Sequence, residues 1–103
     1  PIRIQQVGSI IPAVFKLHQN YPNPFNPVTK ISFEIPSTNE SGKNTSLVVY
    51  DITGKLVRVL TDQYLRAGIY KFMFDATSLP SGVYFYVLRS GSFSETKKMI
   101  LVK

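Results

Sequence analysis

The sequence predicts an all-β domain, an antiparallel sandwich of about seven short strands. Three observations carry that expectation. Apolar and polar residues alternate with period two, as in Ile31-Ser32-Phe33-Glu34-Ile35, the pattern of a half-buried strand. Clusters of Gly, Pro, Asn and Asp punctuate the chain between such segments, where turns are expected. No segment combines helical spacing of apolar residues with helix caps.

Residues 1–14 mix Ile10-Ile11 with Gly8, Ser9 and Pro12 and show no period. They read as a linker or the end of a preceding domain, with the domain proper spanning 15–103. Phe15-Lys16-Leu17 is a candidate short first strand. Tyr21-Pro22-Asn23-Pro24-Phe25-Asn26-Pro27 follows. Three prolines here fix φ and remove backbone donors, which forbids a helix or a central strand. Tyr21 and Phe25 offer this stiff loop two aromatic anchors. Ile31 to Ile35 is a strand closed by Pro36, and 37–46 is a polar loop. Leu47-Val48-Val49-Tyr50 is almost wholly apolar, as expected of a strand covered on both faces. Asp51-Ile52-Thr53-Gly54 is a turn: Asp can accept bonds from amides ahead of it, and Gly can take positive φ. Residues 47–61 therefore form a hairpin. Gly68 opens a strand with Tyr70, Phe72 and Phe74 on one face. Asp75 to Gly82 is a loop, Val83 to Arg89 a strand, Ser90-Gly91-Ser92 a tight turn, and Phe93 to Val102 the final strand. The predicted core is Ile31, Phe33, Ile35, Leu47, Val49, Val57, Phe72, Phe74, Tyr84 and Leu101.

Composition narrows the function. A chain of 103 residues suits one domain with one core. With no cysteine there is neither a disulfide framework nor a thiolate metal site. The net charge is +6, but the basic residues are dispersed. A nucleic-acid binder concentrates them on one element, so no nucleic-acid partner is expected. No apolar run approaches the ~20 residues of a membrane helix, and direct membrane insertion is not expected. No signal peptide opens the chain, and its start at Pro1 suggests a fragment of a longer protein.

Catalysis finds little to work with. His18 is the single histidine, and nucleophilic chemistry needs a base placed beside a nucleophile. Glu34, Glu40, Asp51, Asp62, Asp75 and Glu95 are scattered; the three Asp stand at strand ends, where they commonly satisfy turn amides. No calcium loop with alternating oxygen ligands and no phosphate-cradling glycine loop occurs. No enzyme activity, metal or other cofactor is expected. Asn39-Glu40-Ser41 and Asn44-Thr45-Ser46 match the glycosylation tripeptide and read as loop chemistry. Tyr64, Tyr70, Tyr84 and Tyr86 raise a second reading, a flat sugar-binding platform, although aromatics alternating along strands are more often core.

Five motifs occur in series. They are the proline-rich loop Tyr21 to Pro27 with Thr29-Lys30-Ile31-Ser32-Phe33, and Val49-Tyr50-Asp51-Ile52-Thr53-Gly54-Lys55-Leu56-Val57. Then come Ala67-Gly68-Ile69-Tyr70, Leu79-Pro80-Ser81-Gly82-Val83-Tyr84-Phe85-Tyr86 and Lys97-Lys98-Met99-Ile100-Leu101-Val102-Lys103. In this order, over 17–103, they resemble the C-terminal sorting domain of the type IX (Por) secretion system, type A. The immunoglobulin-like domain of the flagellar hook-capping protein shares part of the hairpin and the Gly-Val-Tyr strand. The resemblance implies an immunoglobulin-like sandwich that acts as an address label on a larger passenger. An outer-membrane translocon would read it, a sortase-like peptidase would remove it, and the passenger would pass through the periplasm and outer membrane to the cell surface or medium. It also implies recognition through Pro80, Gly82, Tyr84 and Lys97, Lys98, Met99, Ile100, Leu101, Val102 and Lys103. Tyr21, Pro22, Asn23, Pro24, Phe25, Asn26, Pro27, Asp51, Gly54 and Gly68 would be structural. Gly82 also reads as a simple backbone turn position. A terminal strand at a sheet edge could pair with a partner. The alternative is a non-catalytic immunoglobulin-like accessory or carbohydrate-binding module of a secreted hydrolase.

Overall fold

The computed structural model describes residues 3–6, 12–37 and 44–103. Two antiparallel sheets pack face to face. The strands are β1 (Arg3–Gln6), β2 (Lys16–Leu17), β3 (Val28–Ile35), β4 (Asn44–Asp51), β5 (Leu56–Tyr64), β6 (Gly68–Asp75), β7 (Gly82–Ser90) and β8 (Phe93–Leu101). The first sheet has the order β1-β6-β3-β2 and the second β5-β4-β7-β8. The chain crosses between sheets after β3, β5 and β6, the interleaving that defines an immunoglobulin-like sandwich. Strands β2 to β8 are the seven expected from the sequence. β1 is an eighth, inside the stretch read as a linker, and it pairs with β6 from Arg3↔Met73 to Gln6↔Tyr70. Asn39-Glu40-Ser41 lies outside the described residues; Asn44 begins β4 and donates to Asp62 at 2.7 Å.

Alternation fixes the core. Ile31, Phe33 and Ile35 of β3 and Tyr70, Phe72 and Phe74 of β6 point inward from one sheet. Leu47, Val49, Tyr84, Tyr86, Leu88, Met99 and Leu101 meet them from the other. Each such side chain contributes about 1.5–3 kcal/mol by leaving water, so the inner faces supply the main driving force. Val57 alone of the predicted core is only partly buried. Register shifts between Leu47 and Val48 and between Val49 and Tyr50 bulge the hairpin and turn its returning strand outward.

The hairpin turn forms as expected. Gly54 adopts φ 87°, and Asp51 Oδ1 accepts from Thr53 N, Thr53 Oγ1 and Lys55 N at 2.9, 2.6 and 3.0 Å. These donors, the Thr53 hydroxyl first, hold the Asp51 carboxyl below its usual range. Asp75 repeats the device, accepting from Thr77 N and Thr77 Oγ1, and its carboxyl is lowered likewise.

The proline loop carries one ring anchor rather than two. Phe25 is buried and tilts against Phe74, with ring centroids 6.1 Å apart. Tyr21 is 78% exposed; its backbone, not its ring, ties the loop to β3 through reciprocal bonds with Lys30. The peptide bonds preceding Pro22, Pro24 and Pro27 are cis. A buried hydroxyl holds the start of the loop. Tyr86 Oη donates to His18 O and accepts from Asn20 N, both at 2.8 Å. Asn20 Nδ2 then donates to Thr29 Oγ1 and Pro22 O. Burial pushes the Tyr86 phenol far above its ordinary range.

Candidate functional site

The residues expected to carry recognition lie along β7, β8 and the loop before them. Tyr84 is buried on β7, and its hydroxyl donates to Pro80 O at 2.6 Å, closing the 80–83 turn. Burial is the main cause that raises its phenol, and the neighbouring Asp51 charge adds to it. Pro80, Gly82 and Tyr84 line a cleft of about 280 Å³ with Ile52, Leu79 and Asp51. Gly82 has φ 155°, outside the range comfortable for side-chain-bearing residues. A Cβ there would meet nothing within 4 Å. Backbone conformation, not lack of room, is what calls for glycine at this position.

Lys103 joins the same corner. Its Nζ donates to Thr77 O at 2.5 Å and Leu79 O at 2.8 Å, and its amide donates to Ser81 Oγ at 3.0 Å. The lysine thus ties the end of β8 to the loop that walls the cleft. The rest of the Lys97–Lys103 run divides by alternation. Met99 and Leu101 are core. Lys98 and Ile100 lie on the outer face of the second sheet, opposite Phe85 and Val83. Lys97 takes the other face, 3.4 Å from Glu95.

The edge of β8 is not open where this run lies. Gln19 Nε2 donates to Lys98 O, and Ile100 N donates to Asn23 Oδ1. Phe25 N donates to Ile100 O, and Val102 N to Phe25 O. The proline loop therefore caps the outer backbone edge of the terminal segment, the usual protection of an exposed strand. A partner strand added from Lys98 O to Val102 N would meet backbone groups that are already bonded.

The remaining polar side chains are engaged locally. His18 Nε2 meets Glu34 Oε2 at 2.5 Å across the β2–β3 side of the first sheet. Among the described residues no group of three or more His, Asp or Glu could hold a metal ion. The suggested tyrosine platform does not form: Tyr70, Tyr84 and Tyr86 are buried, and Tyr64 alone of the four is exposed. Sequence reasoning missed the His18–Asn20–Tyr86 hub and the Lys103 clamp. Both join residues far apart in sequence, and only the Asn20 beside the prolines hinted at the first.

The chain is an immunoglobulin-like sandwich whose expected recognition residues lie along one corner and one terminal strand. The chain belongs to the family described as the secretion system C-terminal sorting domain, whose model matches residues 19–103, and these are the sorting domains of type IX secretion. It is thus a sorting signal for a passenger protein, read by the type IX machinery, with export across the outer membrane to the surface or extracellular space. The family consists of sorting signals and not of catalysts. No curated protein matches the chain. Among solved structures, a conjugative transposon lipoprotein from Bacteroides eggerthii is 12% identical, with TM-score 0.42, over 100% of this chain and 98% of that one.

Proposed function

We propose that the outer-membrane translocon of the type IX system reads the corner formed by Pro80, Gly82 and Lys103 together with the exposed side chains of Lys98 and Val102 and the half-buried Ile100. Tyr84, Met99 and Leu101 support that surface from within, and Lys97 flanks it. The observation that carries this reading is the Lys103 clamp, which brings the terminal run and the Pro80–Tyr84 turn into one place. The passenger reaches the translocon through the periplasm, and a sortase-like peptidase separates it from the domain. The domain itself catalyses nothing: its one histidine is held by Glu34, and Asp51 and Asp75 are occupied by turn donors.

The test is a periplasmic reporter fused ahead of residues 1–103 in a host with type IX machinery. The wild-type fusion reaches the surface. Lys98→Ala and Pro80→Ala variants accumulate in the periplasm while keeping the wild-type melting profile. Surface display of both variants at the wild-type level would remove these residues from recognition.

A further inference from the structure

The two outer faces of the sandwich differ in chemistry. On the first sheet, register places Lys30 opposite Met73, Ser32 opposite Lys71, and Glu34 between Lys16 and Ile69. That face mixes charged and polar side chains with Ile69 and Met73 and, among the described residues, has no two consecutive apolar rows. On the second sheet, register builds transverse rows of a different kind. One row runs Leu56, Tyr50, Phe85, Lys98; the next runs Val59, Val48, Val87, Thr96; the third runs Asp62, Ser46, Arg89, Ser94. Two consecutive rows are apolar across three strands. Val48 and Val87 lie in the middle at 7% exposure yet outside the core between the sheets. Leu56 and Val59 stand 53% and 46% exposed beside them. No described element covers this face. In the apolar Leu47–Tyr50 run Val48 is buried on the outer side as well, beneath its neighbours in the face, while Tyr50 is half-buried.

A sheet face that keeps apolar side chains such as Leu56 and Val59 in solvent marks an interaction site. Its border says what fits. Lys98 and Arg89 are exposed on β8 and β7, and among the described residues neither has a salt-bridge partner. A second copy would bring the same two cations against them and a net +6 against +6, which disfavours self-association. We propose that the outer face of the second sheet docks a partner surface with an apolar centre and an acidic border, belonging to the type IX machinery. The inference rests on the sorting role and extends the contact to Tyr50, Phe85, Leu56 and Val59, with Val48 and Val87 beneath them, all outside the terminal run.

The experiment uses the same fusion with three variants. Val59→Glu puts a carboxylate on an already exposed side chain in the apolar rows. Arg89→Glu reverses the border at an exposed residue of β7 that lies outside the terminal run. Met73→Glu makes the equivalent change on the first sheet, where the side chain is 40% exposed. Surface reporter falls about tenfold or more for the first two, as loss of roughly 1.4 kcal/mol of binding implies, and stays at wild type for Met73→Glu. Melting of each purified domain distinguishes lost docking from lost folding. If Val59→Glu unfolds, Arg89→Glu decides, since it leaves both the apolar rows and the terminal run intact. Wild-type export by folded face variants overturns the inference and leaves the sorting role standing. Failure of the wild-type fusion to reach the surface overturns both. A concentration-dependent dimer in sedimentation, dissolved by Val59→Glu, overturns the inference in favour of a second copy.

Discussion

Replacing Tyr86 by Phe removes one oxygen and tests how the proline loop is held. Tyr86 is fully buried, so the ring remains and no cavity larger than a hydroxyl forms. Two partners lose their bond: Asn20 N, which is buried, and His18 O, which is partly buried. A buried polar group left unpaired costs about 1–3 kcal/mol. The Asn20 amide should bear that in full and the His18 carbonyl less, because water can reach it, which gives about 2–3 kcal/mol together. At about 4–8 °C per kcal/mol for a domain near this size, the midpoint should fall by roughly 10–20 °C. The damage should also be local. The loop caps β8, so the Ile100 and Val102 amides, which bond to Asn23 and Phe25, should exchange with solvent faster than amides of β4. Calorimetry and amide exchange read the two effects. Tyr50→Phe is the control, because the Tyr50 hydroxyl makes no hydrogen bond among the described residues. A loss below about 0.5 kcal/mol, the scale of a neutral surface change, would refute the hub as the anchor of the loop.

Lysines of the terminal run should behave differently from one another. Lys98→Ala should leave stability within about 0.5 kcal/mol, whereas Lys103→Ala loses two bonds to carbonyls and should cost about 1 kcal/mol; equal melting of the two variants by differential scanning calorimetry would count against the clamp. Acid should destabilise the domain through Asp51 and Asp75, whose folded-state pKa values are lowered from 3.8. Their contribution is present above that value and is lost as pH falls below it toward the folded-state pKa. Melting followed from pH 6 down to pH 2 should show a shallower acid decline for Asp51→Asn/Asp75→Asn than for wild type; identical slopes would reject the assignment.

Much of the fold could be read from period and punctuation because its strands obey a local rule. Ile31, Phe33 and Ile35 alternate without interruption, and the Asp51–Gly54 turn announces itself by residue type. The misreadings have physical causes. Val57 faces partly outward because two bulges break the register that alternation assumes. Tyr21 is exposed because its backbone does the anchoring. Arg3–Gln6 lacks alternation and joins the sheet through its pairing with β6, a long-range partner. Tyr50 is half-buried and not sheltered, because an apolar run does not say whether a second layer covers its end. In the candidate site, sequence order exposed the terminal run and the Pro80–Tyr84 turn separately. Their convergence depends on Lys103 reaching Thr77 and Leu79, a contact that follows from the packing of β8 beside β7 and not from spacing.

The capped edge of β8 constrains how such a signal can be read. The backbone polar groups facing outward from Lys98 O to Val102 N are taken by Gln19, Asn23 and Phe25. Met99 and Leu101 are committed to the core. What the terminal run can offer a partner is therefore a set of side chains: Lys98 and Ile100 on the outer face, Val102 and Lys103 at the corner. Those side chains hold their places because β8 pairs with β7 along its whole length and because the proline loop closes over its edge. An extended peptide of the same sequence would present the lysines without that geometry and would expose the apolar residues that folding hides. On the proposed reading, the motif presents a surface to a partner only when the sandwich is formed. The neighbouring apolar rows of β4, β5 and β7, which no single segment contains, belong to that same surface.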